Sequence, residues 1–246
     1  YGSSSPTTEG QAIVTLLLPG TYTINARAKV NGSNTTFAPI DVTVKEGDMV
    51  YDSAGNVVAL AAGVKVKNAA GEEVEFTGGT VTMKQLVMTF EYLDNLAWPD
   101  GSPVTQEDIE LWVNVQCDRE SGATSFILCD KTQGWEFDGL KVTRTMLPGV
   151  QDPLYFTYDP GFAPANRVLS DGRLLKDVPA KDWPTLPEIA ETPWGVGPYM
   201  VTEWVKGEKL VLAAHPYWYG GTPKTPNVVI AFVTAENAEA QLLSGQ

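Results

Sequence analysis

The sequence holds one His and two Cys in 246 residues, and only 17 Lys and Arg against 30 Asp and Glu. Each shortage excludes something. A net charge of -13 leaves too few cations to neutralise a phosphate backbone, which excludes sequence-independent nucleic-acid binding. The same balance disfavours an anionic membrane surface. Long apolar runs are missing as well. The fullest, Ile13-Val14 and Leu16-Leu17-Leu18 around Thr15, falls far short of the roughly 20 residues of a membrane-spanning helix. Residue 1 is Tyr and not Met, so the chain is expected to be processed or cut from something longer, and no secretory signal is seen in it. With one His and no second Cys pair there is no zinc pattern. Cys117 and Cys129 read as two buried thiols or as one disulfide. In an oxidising compartment that bridge would close a short loop and contribute about 2–4 kcal/mol.

Catalytic signatures are also missing. The chain has no G-x-S-x-G elbow, no H-E-x-x-H, no Gly-rich phosphate loop with Lys and no dinucleotide fingerprint. The lone His215 lies between Ala214 and Pro216, and no Ser is marked as its partner, so it reads as structural. Glu72-Glu73 and Glu107-Asp108-Glu110 read as solvated faces or caps. A glycosidase pair of carboxylates is defined by separation in space, which a sequence does not show. No cofactor is implied, and the chain is read as no enzyme.

What is present is an ordinary globular composition, 43% apolar and 19% charged, large enough for one or two lobes. Residues 40–93 read as extended. Ile40, Val42 and Val44 alternate with Asp41, Thr43 and Lys45, the period of a half-buried strand. Turns are marked at Gly47-Asp48, Ala54-Gly55-Asn56, Ala70-Gly71 and Gly78-Gly79. The first helix follows Thr105 as N-cap, with Asp108 at the third helical position completing a capping box. Behind it Ile109, Trp112, Val113 and Gln116 keep helical spacing. A short helical turn over 125–131 carries Cys129. Asp138-Gly139 joins two strands, 134–137 and 140–146. From 148 to 193 the chain is Pro-rich, with short helices expected near 164–169 and 186–191. Strands at 199–204 and 210–213 follow, then an apolar run, 228–233, that reads as a buried strand, and a helix over 235–243. Trp194, Tyr199, Trp204, Tyr217, Trp218 and Tyr219 cluster late in the chain, where rigid rings serve cores or a ligand cleft.

Four segments, in order, resemble the family 5 extracellular solute-binding proteins. Trp98 to Asp108 is similar to that family's W-x-D-G-x-P-V-T-A-x-D. Pro193 to Tyr199 resembles P-x-G-x-G-P-Y, with Gly195 and Gly197 expected to supply angles a side chain would oppose. His215 to Pro223 looks like N-P-x-Y-W-x-G-x-P, with His where Asn is usual. Glu236-Asn237-Ala238 and Leu242 to Gln246 resemble the family's final helix and the L-x-x-G-E/Q that runs into its crossover. The resemblance implies a mixed α/β fold, lobe I of a class II periplasmic-binding-protein-like clamp with an inserted β-rich subdomain and its second lobe absent. The expected division is 1–39, the first part of lobe I; 40–147, the β-rich subdomain; and 148–246, the remainder of lobe I. It implies capture of an oligopeptide or similar small solute outside the cytoplasmic membrane, delivery to an ABC permease, and a monomer, lipid-anchored or free. A secreted carbohydrate-binding or hydrolytic module is the alternative, and a β-rich adhesion domain a third reading. Ligand contacts implied by the family's first lobe fall at Tyr1, Ser3 and Ser4; at Ser125 and Phe126; and at Tyr155, Phe156 and Tyr158.

Overall fold

The computed structural model describes residues 27–30, 33–152, 154–234, 237 and 243. Tyr1, Ser3, Ser4 and the apolar block 12–18 lie outside the described residues. Of the helix expected over 235–243 only Asn237 and Leu243 are described, both helical.

A long antiparallel ribbon opens the fold. β1 (Arg27–Val30) pairs with β2 (Ser33–Lys45). Two small hairpins come next, β3 (Met49–Tyr51) with β4 (Val57–Ala59) and β5 (Lys65–Lys67) with β6 (Glu73–Glu75). β7 (Thr80–Glu91) then returns along β2, from Lys45 opposite Thr80 to Asn34 opposite Glu91. The hairpins fold onto this ribbon because Val44, Val50, Leu60, Val66, Phe76 and Met83 bury one another there. β7 serves two cores. Met83 faces the hairpins, whereas Leu86, Met88 and Phe90 are buried with Met146, Leu147 and Val150. Side chains alternate across a strand, so the two sets occupy opposite faces.

Helix α1 (Gln106–Cys117) is followed by the short α2 (Ile127–Asp130) and by the hairpin of β8 (Thr132–Asp138) and β9 (Lys141–Met146). β9 joins β7, giving a five-stranded sheet ordered β1-β2-β7-β9-β8. Beyond it lie 3-10 turns at Tyr155–Thr157, Leu175–Asp177 and Ala180–Thr185, then α3 (Pro187–Ala190). The helix expected near 164–169 is not formed. Its backbone is committed elsewhere: the Ala165 N–H goes to Asp108, Leu175 N–H donates to the Arg167 carbonyl, and Val168 bridges Leu174. Packing runs on from α1 into the Pro-rich segment. Leu169, Leu175, Val178, Trp183 and Leu186 bury against Leu111, Trp112 and Val115 of α1, and Trp194 and Val196 join the core of Trp98, Val104 and Ile109.

The chain continues into an antiparallel sheet of β10 (Tyr199–Val205), β11 (Lys209–Ala214) and β12 (Asn227–Ala231). The buried strand expected at 228–233 is a strand but not a buried one. Among the described residues β12 is an edge paired only to β11, and Val229 is 61% exposed, with Ile230, Phe232 and Val233 also open. An apolar run alone does not say which neighbour covers it.

Asp108 holds the middle of the molecule. Expected from sequence to complete the capping box with Thr105, it does so, and it is 3% exposed. Its carboxylate accepts hydrogen bonds from the Thr105 N–H at 2.8 Å, Thr105 Oγ1 at 3.1 Å, Trp98 Nε1 at 3.2 Å and the Ala165 N–H at 2.7 Å. Its own carbonyl accepts from the Ala163 N–H at 3.0 Å. A buried carboxylate is costly unless its lone pairs are used, and here they are. Its neighbours Glu107 and Glu110 stay on the outer face, Glu107 paired with Lys176 at 2.8 Å. Tyr217 closes the same region from outside. A Cβ at Gly101, whose φ is +86°, would lie 2.9 Å from Tyr217 Cζ. The His215 N–H donates to the Pro198 carbonyl at 2.9 Å, so the segments at 98–108, 193–199 and 215–221 meet. Gly195 and Gly197 have no positive φ, and an added Cβ would touch nothing within 4 Å. The unusual angles expected of them are not used.

Asp108→Ala strands the Trp98 indole and the Ala165 N–H in the interior, and is expected to cost about 3 kcal/mol or more by chemical denaturation. Gly101→Ala should cost about 2 kcal/mol from its left-handed backbone and the Tyr217 ring. Gly195→Ala should stay within about 0.5 kcal/mol of the parent. Equal losses at 101 and 195 would contradict this packing.

Candidate functional site

The loops that could meet a solute lie at one end of the five-stranded sheet. After α1 the chain turns at Asp118 and passes Ser125 and Phe126 into α2. Cys117 and Cys129 form a disulfide across this turn, with Cα atoms 5.6 Å apart. Ser125 is exposed and its Oγ accepts from the Ile127 N–H at 3.4 Å. Phe126 is half-buried beneath the Arg119 guanidinium, 4.5 Å from its ring centroid. Arg119 in turn pairs with Asp130. An open groove of about 390 Å³ runs beside the disulfide, with Asn114, Asp118, Thr132, Gln133 and Trp135 among its walls.

The second segment is the 3-10 turn at Tyr155–Thr157. Asp152 launches it by accepting the Leu154 N–H at 2.9 Å, and it also takes the Tyr158 hydroxyl as donor. Those bonds, Tyr158 first, hold the Asp152 carboxyl below the usual carboxylate range. Tyr158 is pushed up to about 12, by burial first and then by Asp152. Burial also raises Tyr155. Both rings are half-buried against the Leu86–Val150 core. Phe156 lies in the turn between them.

Sequence reasoning missed the group that joins the two segments. Arg144 is 4% exposed. It donates from Nη2 to the Leu128 carbonyl at 2.7 Å, from Nη1 to the Tyr158 carbonyl at 3.2 Å and from Nε to Thr132 Oγ1 at 2.9 Å. Its guanidinium lies 4.7 Å from the Trp135 ring and 5.5 Å from the Tyr158 ring. Burial lowers it to about 10, so it stays charged at neutral pH. A signal existed: Arg144 occupies the inward register of β9 between Val142 and Met146, both fully buried.

His215, weighed above for a catalytic role, is 1% exposed. Its Nδ1 accepts the Tyr217 N–H at 3.0 Å, which makes it a structural acceptor in the third motif. Burial pushes its imidazole below the ordinary value, against smaller opposing pulls from the backbone of Gly195 and of His215 itself. Among the described residues no cluster of three or more His, Cys, Asp or Glu side chains could hold a metal ion. No described helix is long and apolar enough to cross a membrane. The groove and loops offer aromatic surface, hydroxyls and backbone groups, the equipment of binding.

Comparison with known proteins defines the class. The model of the bacterial extracellular solute-binding proteins, family 5 (middle), matches residues 71–246, and the chain belongs to that family. Protein XP55 of Streptomyces lividans is 27% identical over 165 residues, covering 66% of this chain and 28% of that protein. The dipeptide-binding protein DppE of Bacillus subtilis is 27% identical over 180 residues, covering 66% of this chain and 31% of its own length. The chain thus spans under a third of either relative. Among solved structures, the oligopeptide-binding protein AppA of Bacillus subtilis, in complex with a nonapeptide, shares the fold with a TM-score of 0.56 at 19% identity. That match covers 82% of this chain and 36% of AppA. The mixed α/β fold expected from the sequence is the one these structures share.

The His215 geometry gives a signed pH dependence. With the folded value below about 6.5, the unfolded chain takes up the proton first, so stability falls as pH drops through that value. His215→Asn should remove this component between about pH 7 and 5, read as thermal midpoint against pH. An unchanged pH profile in the variant would contradict the assignment.

Proposed function

We propose that the chain is part of the solute-capturing component of an ABC importer. In this reading it works outside the cytoplasmic membrane as a monomer, takes up an oligopeptide or similar small solute, and hands it unchanged to permease subunits. The observation that carries the proposal is the family match over residues 71–246. A peptide is favoured because one relative is named as dipeptide-binding and the AppA structure holds a nonapeptide. The site geometry supports the same reading. Two braced loops with half-buried tyrosines, an open groove and main-chain groups suit an extended ligand that brings its own amides. The contacts at Ser125, Phe126, Tyr155, Phe156 and Tyr158 are part of this proposal.

Thermal-shift measurements on the natural polypeptide that contains this chain, against di- to penta-peptides, sugars and nickel chelates, test it. A bound peptide should stabilise by RT ln(1 + [L]/Kd), about 2.7 kcal/mol at a hundredfold excess over Kd. A response to sugars alone, or turnover of a glycosidic or ester substrate, would contradict it.

A further inference from the structure

We propose that Arg144 is the positioning residue of the solute site, holding both solute-facing loops in register through one buried guanidinium. This rests on the peptide-binding reading above. Arg144 touches neither groove nor solvent to any extent, so its part is to act through the loops and not to contact ligand.

The argument begins with what the residue costs. A guanidinium that is 4% exposed gives up its hydration, and among the described residues it takes part in no ion pair. All its acceptors are neutral: Thr132 Oγ1 and the carbonyls of Leu128 and Tyr158. A buried charge with neutral partners is a poor way to gain stability, because no opposite charge offsets its desolvation. What it does supply is geometry. The donors of Arg form a rigid planar fork, and here the fork ends on two loops about thirty residues apart in sequence. Nη2 reaches Leu128 of α2 at 2.7 Å, two residues past Phe126; Nη1 reaches Tyr158 at 3.2 Å, two residues past Phe156.

The surroundings keep the fork from turning. Trp135 and Tyr158 place their rings 4.7 Å and 5.5 Å from it, and such contacts favour a cation. Thr132 Oγ1 accepts from Nε and Nη2 and itself donates to the Leu128 carbonyl at 2.7 Å, which sets the plane. Trp135 also lines the groove, so the ring beside the guanidinium is itself part of the solute-facing wall. A Lys could not reproduce this, because one ammonium cannot hold a planar set of acceptors on two sides.

Arg167 provides a matched control. It is 8% exposed, donates to the Glu188 and Thr192 carbonyls at 2.9 Å each, and lies 4.5 Å from the Trp194 ring, away from both loops. The experiment compares Arg144→Met, Arg144→Lys and Arg167→Met in the natural polypeptide that contains this chain. Affinity is read by calorimetry with whichever di- to penta-peptide binds the parent, and thermal midpoint is read beside it. Hydrogen exchange of the unliganded variants at 126–130 and 154–158 is the second readout. Expected are a loss of affinity of about tenfold or more in both Arg144 variants, no loss in Arg167→Met at comparable destabilisation, and faster exchange at both loops together only in the Arg144 variants. Unchanged affinity in Arg144→Met, full rescue by Lys, or faster exchange at one loop alone would overturn the proposal. A parent that binds none of the peptides would instead sink the peptide-binding reading, and the role of Arg144 with it.

Discussion

The buried carboxylate of Asp108 is the constraint on which the middle of this fold depends. It is one residue asked to satisfy four donors: the N-cap of α1 through two groups, the indole of Trp98 in the preceding turn, and the Ala165 N–H from a loop 57 residues later. The Trp98 indole and the Ala165 N–H would otherwise be polar groups without a partner in the interior, while Thr105 lies at the exposed start of the helix. The turn at 98–103, the start of α1 and the crossing of the Pro-rich segment are therefore set together. Once they are, Trp194 and Val196 find their places against Trp98, Val104 and Ile109. Tyr217 can then lie on Gly101. Three sequence motifs that look separate are thus parts of one knot, and the knot is architectural.

That division explains where solute chemistry can reside. The motif residues are committed to one another, while the loops at the end of the five-stranded sheet are braced but open. The 125–130 segment is held by a disulfide and by Arg119; the 152–158 segment is held by Asp152 and by its rings on the core. Arg144 spans the two. In the proposed reading, rigid loops that present aromatic and main-chain groups would lower the ordering cost of binding.

Much of the fold was legible in local signals. Hairpins followed the turn residues at 54–56, 70–71 and 138–139, and α1 followed Thr105 and Asp108, because these signals act within a few residues. What failed was long-range. Nothing near Asp108 in sequence reveals the Ala165 N–H, so its capping box is legible but the depth of its carboxylate is not. Residues 164–169 looked helical until the demands of Asp108 and the Val168–Leu174 bridge were known. The run at 228–233 read as buried because apolarity gives a wish for cover, not the neighbour that provides it. Of the candidate site, Ser125, Phe126, Tyr155, Phe156 and Tyr158 came from resemblance to a family. Arg144 leaves a trace in the sequence itself, a charged residue in the inward register of β9.

The central claim is that solute meets the two braced loops and not the motif knot. Photo-crosslinking tests it most directly, using a benzophenone-bearing peptide bound to the natural polypeptide, with the labelled residues mapped by mass spectrometry. The account predicts labels on this chain within 125–135 and 152–158. Labels confined to 98–108 and 193–221 would place the solute on the knot and contradict it.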